Sequence, residues 1–191
     1  NNLNNIICNM KNILLLGATG SIGKSVLSVI EQNDQKLNLF GISFNKNILR
    51  GREIIEKFHP SFAHIENLDL YKENISSEDC SYLNNLSELE DLINHQDVDI
   101  IVCAISGFAG LKATYIAASS GKKILLANKE SIVSGGDLII PLAKENNSEI
   151  IPIDSEHNAI FQCLSGEKGV EDVQKISITA SGGPFLNTPI S

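Results

Sequence analysis

Positive charge is scarce in this sequence. Fifteen Lys and Arg stand against 23 Asp and Glu, giving a formal net charge of −8 over 191 residues, and the basic residues form no stripe. The electrostatic contribution that gives nucleic-acid binding its affinity is therefore missing, and no nucleic acid is expected as a partner. Long apolar runs are missing too. None approaches the roughly 20 residues that cross a bilayer, so no membrane association is expected. The opening residues, Asn1 to Asn9, have neither a positive n-region nor a long h-region, so any targeting peptide is expected to have been removed already. Paired cysteines are absent: Cys8, Cys80, Cys103 and Cys163 are scattered, with no CxxC spacing and no His at ligand distance. That argues against a zinc site and a disulfide framework, and fits a reducing compartment. Cys103, inside an apolar strand, and His157, beside a helix start, read as packing and structural residues.

Hydrophobic residues are plentiful, at 42%, enough for at least one sizeable core. Apolar runs rich in β-branched residues predict strands at Asn12–Leu16, Leu37–Phe44, Phe62–Ile65, Asp99–Ile105, Lys123–Ala127, Glu149–Ile153 and Lys175–Thr179. They are near-continuous rather than alternating, as strands covered on both faces should be. Helical patterns fall between them, at Gly23–Gln32, Ile48–Phe58, Leu86–Asn94, Leu111–Ser119, Gly136–Asn146 and Glu156–Leu164. This alternation predicts an α/β fold, a Rossmann-like doubly wound parallel sheet, followed after about residue 150 by the start of a second α/β domain. Polar Glu66–Asn85 reads as a long surface excursion, and the Asn-rich residues 1–10 as a solvated tail.

The first strand runs into Gly17-Ala18-Thr19-Gly20-Ser21-Ile22-Gly23 and then into a helix. A strand, a tight turn and a helix N-terminus together present backbone N–H groups to a phosphate. The spacing is GxxGxxG, a variant of GxGxxG, and of itself it also fits a plain βα turn. A P-loop is a rival reading. GxxxxGK[ST] would need Gly where Ala18 stands, with Lys24 and Ser25 gripping phosphate and magnesium. At the end of the second strand, where an acidic residue would select NAD, stand Asn45-Lys46-Asn47. A cation flanked by amides favours a 2′-phosphate, hence NADP.

Two further polar clusters close strands: Asn128-Lys129-Glu130-Ser131 and Asp154-Ser155-Glu156-His157-Asn158. They lie at the carboxyl edge of the sheet, where open α/β folds bind ligands. Asp154 and Glu156, two apart, offer the hard oxygen ligands that Mg²⁺ or Mn²⁺ prefer, although a lone Asp-Ser-Glu more often marks a helix start, with Asp154 or Ser155 as the N-cap.

In order along the chain, GATGSIG (17–23), ANKES (127–131), PIDSEHNAIFQ (152–162) and TASGGPF (179–185) resemble the 1-deoxy-D-xylulose-5-phosphate reductoisomerases, over nearly everything from Lys11 onward. The third motif is highly specific; the glycine turn is not. The resemblance implies an NADPH-binding domain over residues 11–150 and the beginning of a metal- and substrate-binding catalytic domain over 151–191. It implies that Gly17, Thr19, Gly20, Ser21, Ile22 and Gly23 hold the NADPH pyrophosphate, Lys46 and Asn47 the 2′-phosphate, and Asn128 and Glu130 the nicotinamide end. Asp154 and Glu156 would ligate Mg²⁺ or Mn²⁺, and Lys129, Ser155, Glu156 and Ser181 would hold the sugar phosphate. Lys129, Asp154 and Glu156 would then be catalytic.

The implied reaction is the rearrangement and NADPH-dependent reduction of 1-deoxy-D-xylulose 5-phosphate to 2-C-methyl-D-erythritol 4-phosphate, in isoprenoid precursor synthesis. Family members continue past Ser191 with a mobile loop and a further metal-binding carboxylate, so these residues alone are expected to bind cofactor at best. The family's habits imply a homodimer. An Asn- and Ile-rich composition resembling apicomplexan proteins implies a plastid-type organelle, the apicoplast, with the cytoplasm as the alternative. Two alternatives to catalysis by this route remain, a non-catalytic NADP-binding module and a P-loop-like hydrolase. Short-chain dehydrogenases are excluded: they need Tyr and Lys four apart, whereas Tyr71, Tyr82 and Tyr115 are followed at that distance by Ile75, Leu86 and Ser119.

Overall fold

The computed structural model describes residues 10–66, 80–164 and 173–177. The chain divides between Asp154 and Ser155 into two compact units.

The first unit is a parallel sheet of seven strands: β1 (Lys11–Leu16), β2 (Leu37–Phe44), β3 (Phe62–Ile65), β4 (Ser81–Leu83), β5 (Ile100–Cys103), β6 (Lys123–Leu126) and β7 (Glu149–Pro152). Their order across the sheet is β4-β3-β2-β1-β5-β6-β7. From β1 the chain winds outward through β2, β3 and β4, then returns to β5 on the other side and winds out through β6 and β7. The direction reverses between β1 and β5, and doubly wound sheets open their binding crevice at that point, outside the carboxyl ends of the strands.

β1 explains why the strands read as unbroken apolar runs. Ile13 and Leu15 pack on one face with Leu27 and Ile30 of α1 (Ser21–Gln32) and Ile54 and Ile55 of α2 (Ile48–Phe58). Leu14 and Leu16 pack on the other with Leu89 and Leu92 of α3 (Leu86–Asn94) and Ala113 and Ile116 of α4 (Gly110–Ala118). With both faces covered, no strand position needs a polar residue. The small residues Gly110, Ala113, Ala117 and Ala118 are buried on α4, and α5 (Lys129–Glu145) packs beside it through Ile139 and Ala143.

Three expectations are corrected. Helix α5 begins at Lys129, not Gly136, so the ANKES run that closes the strand also starts the helix. The stretch expected to be a surface excursion contains β4, which pairs with β3 from Ser81 to Leu83, while 67–79 lie outside the described residues. No strand forms over Lys175–Ser177; residues 178 and 179 lie outside the described residues. In the second unit, α6 (Ser155–Leu164) carries no buried residue.

Candidate functional site

The turn after β1 is built from its backbone outward. Gly17 has φ +89°, a conformation that only glycine adopts at little cost. A Cβ there would stand 2.6 Å from the carbonyl carbon of Ala104. Ser43, the penultimate residue of β2, holds the turn: Gly17 N–H donates to its carbonyl (3.0 Å) and to its Oγ (3.1 Å), and Ala18 N–H donates to the same carbonyl (2.9 Å). Gly23, in the first turn of α1, packs on the backbone of Ala18 and Gly17, leaving no room for a Cβ. Gly20 differs. It caps α1 with extended backbone and no side-chain hydrogen bond, and a Cβ on it would meet nothing nearer than Gly17 O at 3.4 Å. The three glycines thus divide the work: the sharp turn, an open approach to the helix N-terminus, and close packing of helix on strand.

Over this turn lies a cavity of about 560 Å³. Its wall is made by residues at the carboxyl ends of five neighbouring strands: Gly17, Thr19 and Gly20 after β1, Ser43 to Asn47 at β2, His64 and Glu66 at β3, Asn84 to Leu86 after β4, and Ala104 to Ser106 after β5. Leu89 of α3, Ala109 just before α4, and Lys112 and Ala113 of α4 complete it. Lys46 and Lys112 are its cations. The oxygen of Asn47 caps α2 by accepting from Arg50 N–H (3.2 Å), so the cap leaves the amide's N–H donors unused. Asn45 Nδ2 donates to Glu66, placing a carboxylate on the same wall. His64 is buried, donates through Nε2 to Asn85 O (3.0 Å), and is held below its usual pKa by burial. It is therefore neutral at physiological pH.

Six of the residues singled out from sequence share this cavity: Gly17, Thr19, Gly20, Asn45, Lys46 and Asn47. Ser21, Ile22 and Gly23 form the first turn of the helix behind it. Lys24 and Ser25, which the P-loop reading needs, lie on exposed positions of α1 away from the wall. Asn128 is 3% exposed and caps α5 by accepting from Ser131 N–H (2.8 Å); Lys129 and Glu130 follow it, exposed, in the first turn.

Asp154 is the last residue of the first unit, two places beyond β7. Ser155 and Glu156 open α6, where Ser155 Oγ donates to Glu156 Oε2 (3.0 Å). Ser181 lies outside the described residues. Among the described residues no group of three or more His, Cys, Asp or Glu forms a metal cage. Asp154 and Glu156 each carry a carboxylate, the kind of hard oxygen donor that Mg²⁺ prefers. Burial pushes the thiol of Cys103 up to about 12 and that of Cys80 up to about 11, so neither is a nucleophile.

Sequence reasoning missed Ser43, His64, Glu66 and Lys112. Three of them end strands of a parallel sheet, and their common position at the carboxyl edge was the available signal.

A family model described as 1-deoxy-D-xylulose 5-phosphate reductoisomerase matches residues 13–136, and one for the C-terminal domain of the same enzyme matches 150–191. The reductoisomerase of Vesicomyosocius okutanii is 46% identical over 95% of this chain and 48% of its own length. The chain thus spans about half the length of the curated relatives it matches. Among solved structures, a DOX-P reductoisomerase in complex with magnesium superposes with TM-score 0.87 at 36% identity, covering 95% of this chain and 48% of that one. The Zymomonas mobilis 1-deoxy-D-xylulose 5-phosphate reductoisomerase in complex with NADPH gives TM-score 0.85 at 37% identity, over 94% of this chain and 48% of that one.

Proposed function

Because the chain belongs to the 1-deoxy-D-xylulose 5-phosphate reductoisomerase family, we propose that its cavity holds NADPH and that its protein converts 1-deoxy-D-xylulose 5-phosphate to 2-C-methyl-D-erythritol 4-phosphate with Mg²⁺ or Mn²⁺. The observation that carries this is the cavity itself, open at the β1–β5 reversal, floored by the glycine turn and bearing Lys46 beyond β2. Residues 11–150 serve as the NADPH-binding domain, and 151–191 begin the catalytic one.

Each residue has a task in this reading. Gly17 and Gly23 shape the turn, and Gly20 leaves the first N–H groups of α1 open to the pyrophosphate, with Thr19, Ser21 and Ile22 completing the cradle. Lys46, with the amide of Asn47, neutralises the 2′-phosphate. Asn128 and Glu130 flank the nicotinamide end, where NADPH supplies the hydride. Asp154 and Glu156 hold the metal, whose Lewis acidity acts on substrate oxygens. Lys129 places a positive charge where an oxyanion develops, and Ser155 and Ser181 bind the sugar phosphate.

The bacterial source of the relatives supports the cytoplasm over the plastid-type organelle, and a homodimer is part of the proposal, checked by molecular mass in solution. The test of function is Mn²⁺-dependent NADPH oxidation by a protein carrying these residues together with the half that the relatives add. Asp154→Asn and Glu156→Gln should retain NADPH binding and lose most turnover. Wild-type rates from both variants at limiting Mn²⁺ would contradict the metal assignment.

A further inference from the structure

The Asn128 side chain has no polar atom to spare. Its Nδ2 donates to Ile105 O (2.7 Å) and Gly107 O (2.8 Å), and its Oδ1 accepts from Ser131 N–H (2.8 Å) and from the Ser131 hydroxyl. An amide carries two N–H donors and one oxygen with two lone pairs, so every position is taken. A hydrogen bond from this side chain to a ligand would have to break one of these four.

The polar contacts continue inward. Ser131 Oγ lies 3.2 Å from Thr114 Oγ1, which donates to Gly110 O (2.9 Å), and Ser131 and Thr114 are wholly buried. Gly110 is shaped around the same group: a Cβ on it would stand 2.8 Å from Asn128 Nδ2. What the amide grips is the loop between β5 and α4. Ile105 and Ser106 of this loop wall the cavity. Beyond them Gly107 has φ +68° with nothing within 4 Å of its Cβ position, and Phe108 is 72% exposed, so packing does little to fix the loop there.

We propose that Asn128 is a positioning residue: it latches the Ile105–Gly107 loop, whose Ile105 and Ser106 wall the cavity, to the first turn of α5 and thereby sets the cavity wall and Lys129 in one frame. Its side chain acts on the cofactor through the loop rather than through a hydrogen bond of its own. The proposal rests on the NADPH reading for its functional consequence, while the latch stands independently of any ligand.

Asn128→Asp keeps size and acceptor but turns an oxygen toward two carbonyls. Gly110→Ala leaves residue 128 unchanged but drives a Cβ against the latch, 2.6 Å from Ile105 O and 2.8 Å from Asn128 Nδ2. Both are made in the full chain. Amide hydrogen exchange is measured without cofactor and compared with wild type at the same pH, and NADPH affinity is measured by titration. Each variant should raise exchange at residues 105–110 roughly tenfold while the core strands β5 and β6 stay protected, and weaken NADPH in proportion. Unchanged cofactor-free exchange with weakened NADPH would overturn the latch in favour of direct contact. Raised exchange with unchanged affinity would overturn its role in the site. Failure of the wild-type chain to bind NADPH would remove the cofactor reading, leaving the exchange measurement to decide the latch.

Discussion

Gly17, Gly20 and Gly23 stand three apart in one turn, yet a methyl group added to each would meet different surroundings. At Gly17 and Gly23 it collides with backbone of the protein itself; at Gly20 it makes only ordinary van der Waals contact, nothing being nearer than Gly17 O at 3.4 Å. Gly17→Ala should therefore lower stability by about 1–3 kcal/mol through its positive φ and the Ala104 backbone, visible in thermal melts. Gly20→Ala should melt like wild type but lose NADPH affinity by roughly tenfold, since only the ligand's approach is obstructed. Equal melting losses at both positions would mean the turn is purely structural. Glu66 gives the opposite sign. Its carboxylate shares a wall with Lys46, so Glu66→Gln should tighten NADPH a few-fold in low salt, with the gain shrinking as salt is added. Titration at two ionic strengths checks this. The glycines and Lys46 were legible because adjacent residues spell the turn and the strand end. Glu66 was not, because its role depends on β3 lying beside β2, which no local pattern states.

The elements were read well where one face pattern decided them, and less well where packing overrode a local signal. The helical pattern read from sequence starts only at Gly136, and glycine is poor in helix interiors. In the structure Gly135 is buried in α5, and a Cβ there would stand 2.9 Å from Leu111 Cδ1, so the missing side chain permits close approach to α4. The true start was signalled by Asn128, a strong N-cap residue. β4 escaped because three residues at a sheet edge give too short an alternation to see. β3 and α3 meet through His64, whose Nε2 bonds the carbonyl of Asn85, the N-cap of α3.

Burial lowers the His64 pKa against weaker raising influences from the Asn85 hydrogen bond, Glu66 and Glu88. The folded state therefore resists protonation. The unfolded chain binds the extra proton first, so stability is full above the ordinary His value of about 6.5 and declines as pH falls from there toward the depressed folded value. His64→Gln should flatten that decline in melts from pH 7.5 to 5; an unchanged slope would assign the acid sensitivity elsewhere.

At the scale of the molecule, the two edges of the sheet have different jobs. At the amino edge Lys11 pairs with Asp99 (2.7 Å) and Lys122 Nζ donates to the carbonyls of His95 (2.8 Å) and Val98 (2.7 Å), contacts that tie strand starts together. At the carboxyl edge Lys46 and Lys112 face a cavity in a protein of net charge −8, a local inversion of sign suited to an anionic ligand. The class of sheet could be read from strand–helix alternation alone, but the cavity could not, since it joins residues from position 17 to position 113. A ligand that binds only the folded state adds about 2.7 kcal/mol at a hundred times its Kd, so saturating NADPH should raise the melting temperature. The most direct test is a titration of the chain with NADPH and NADH, wild type beside Lys46→Ala. NADPH should bind more tightly than NADH, and Lys46→Ala should weaken NADPH roughly tenfold while leaving NADH nearly unchanged, because only NADPH offers a 2′-phosphate to the lysine. Equal losses for the two cofactors, or no binding of either, would contradict the assignment.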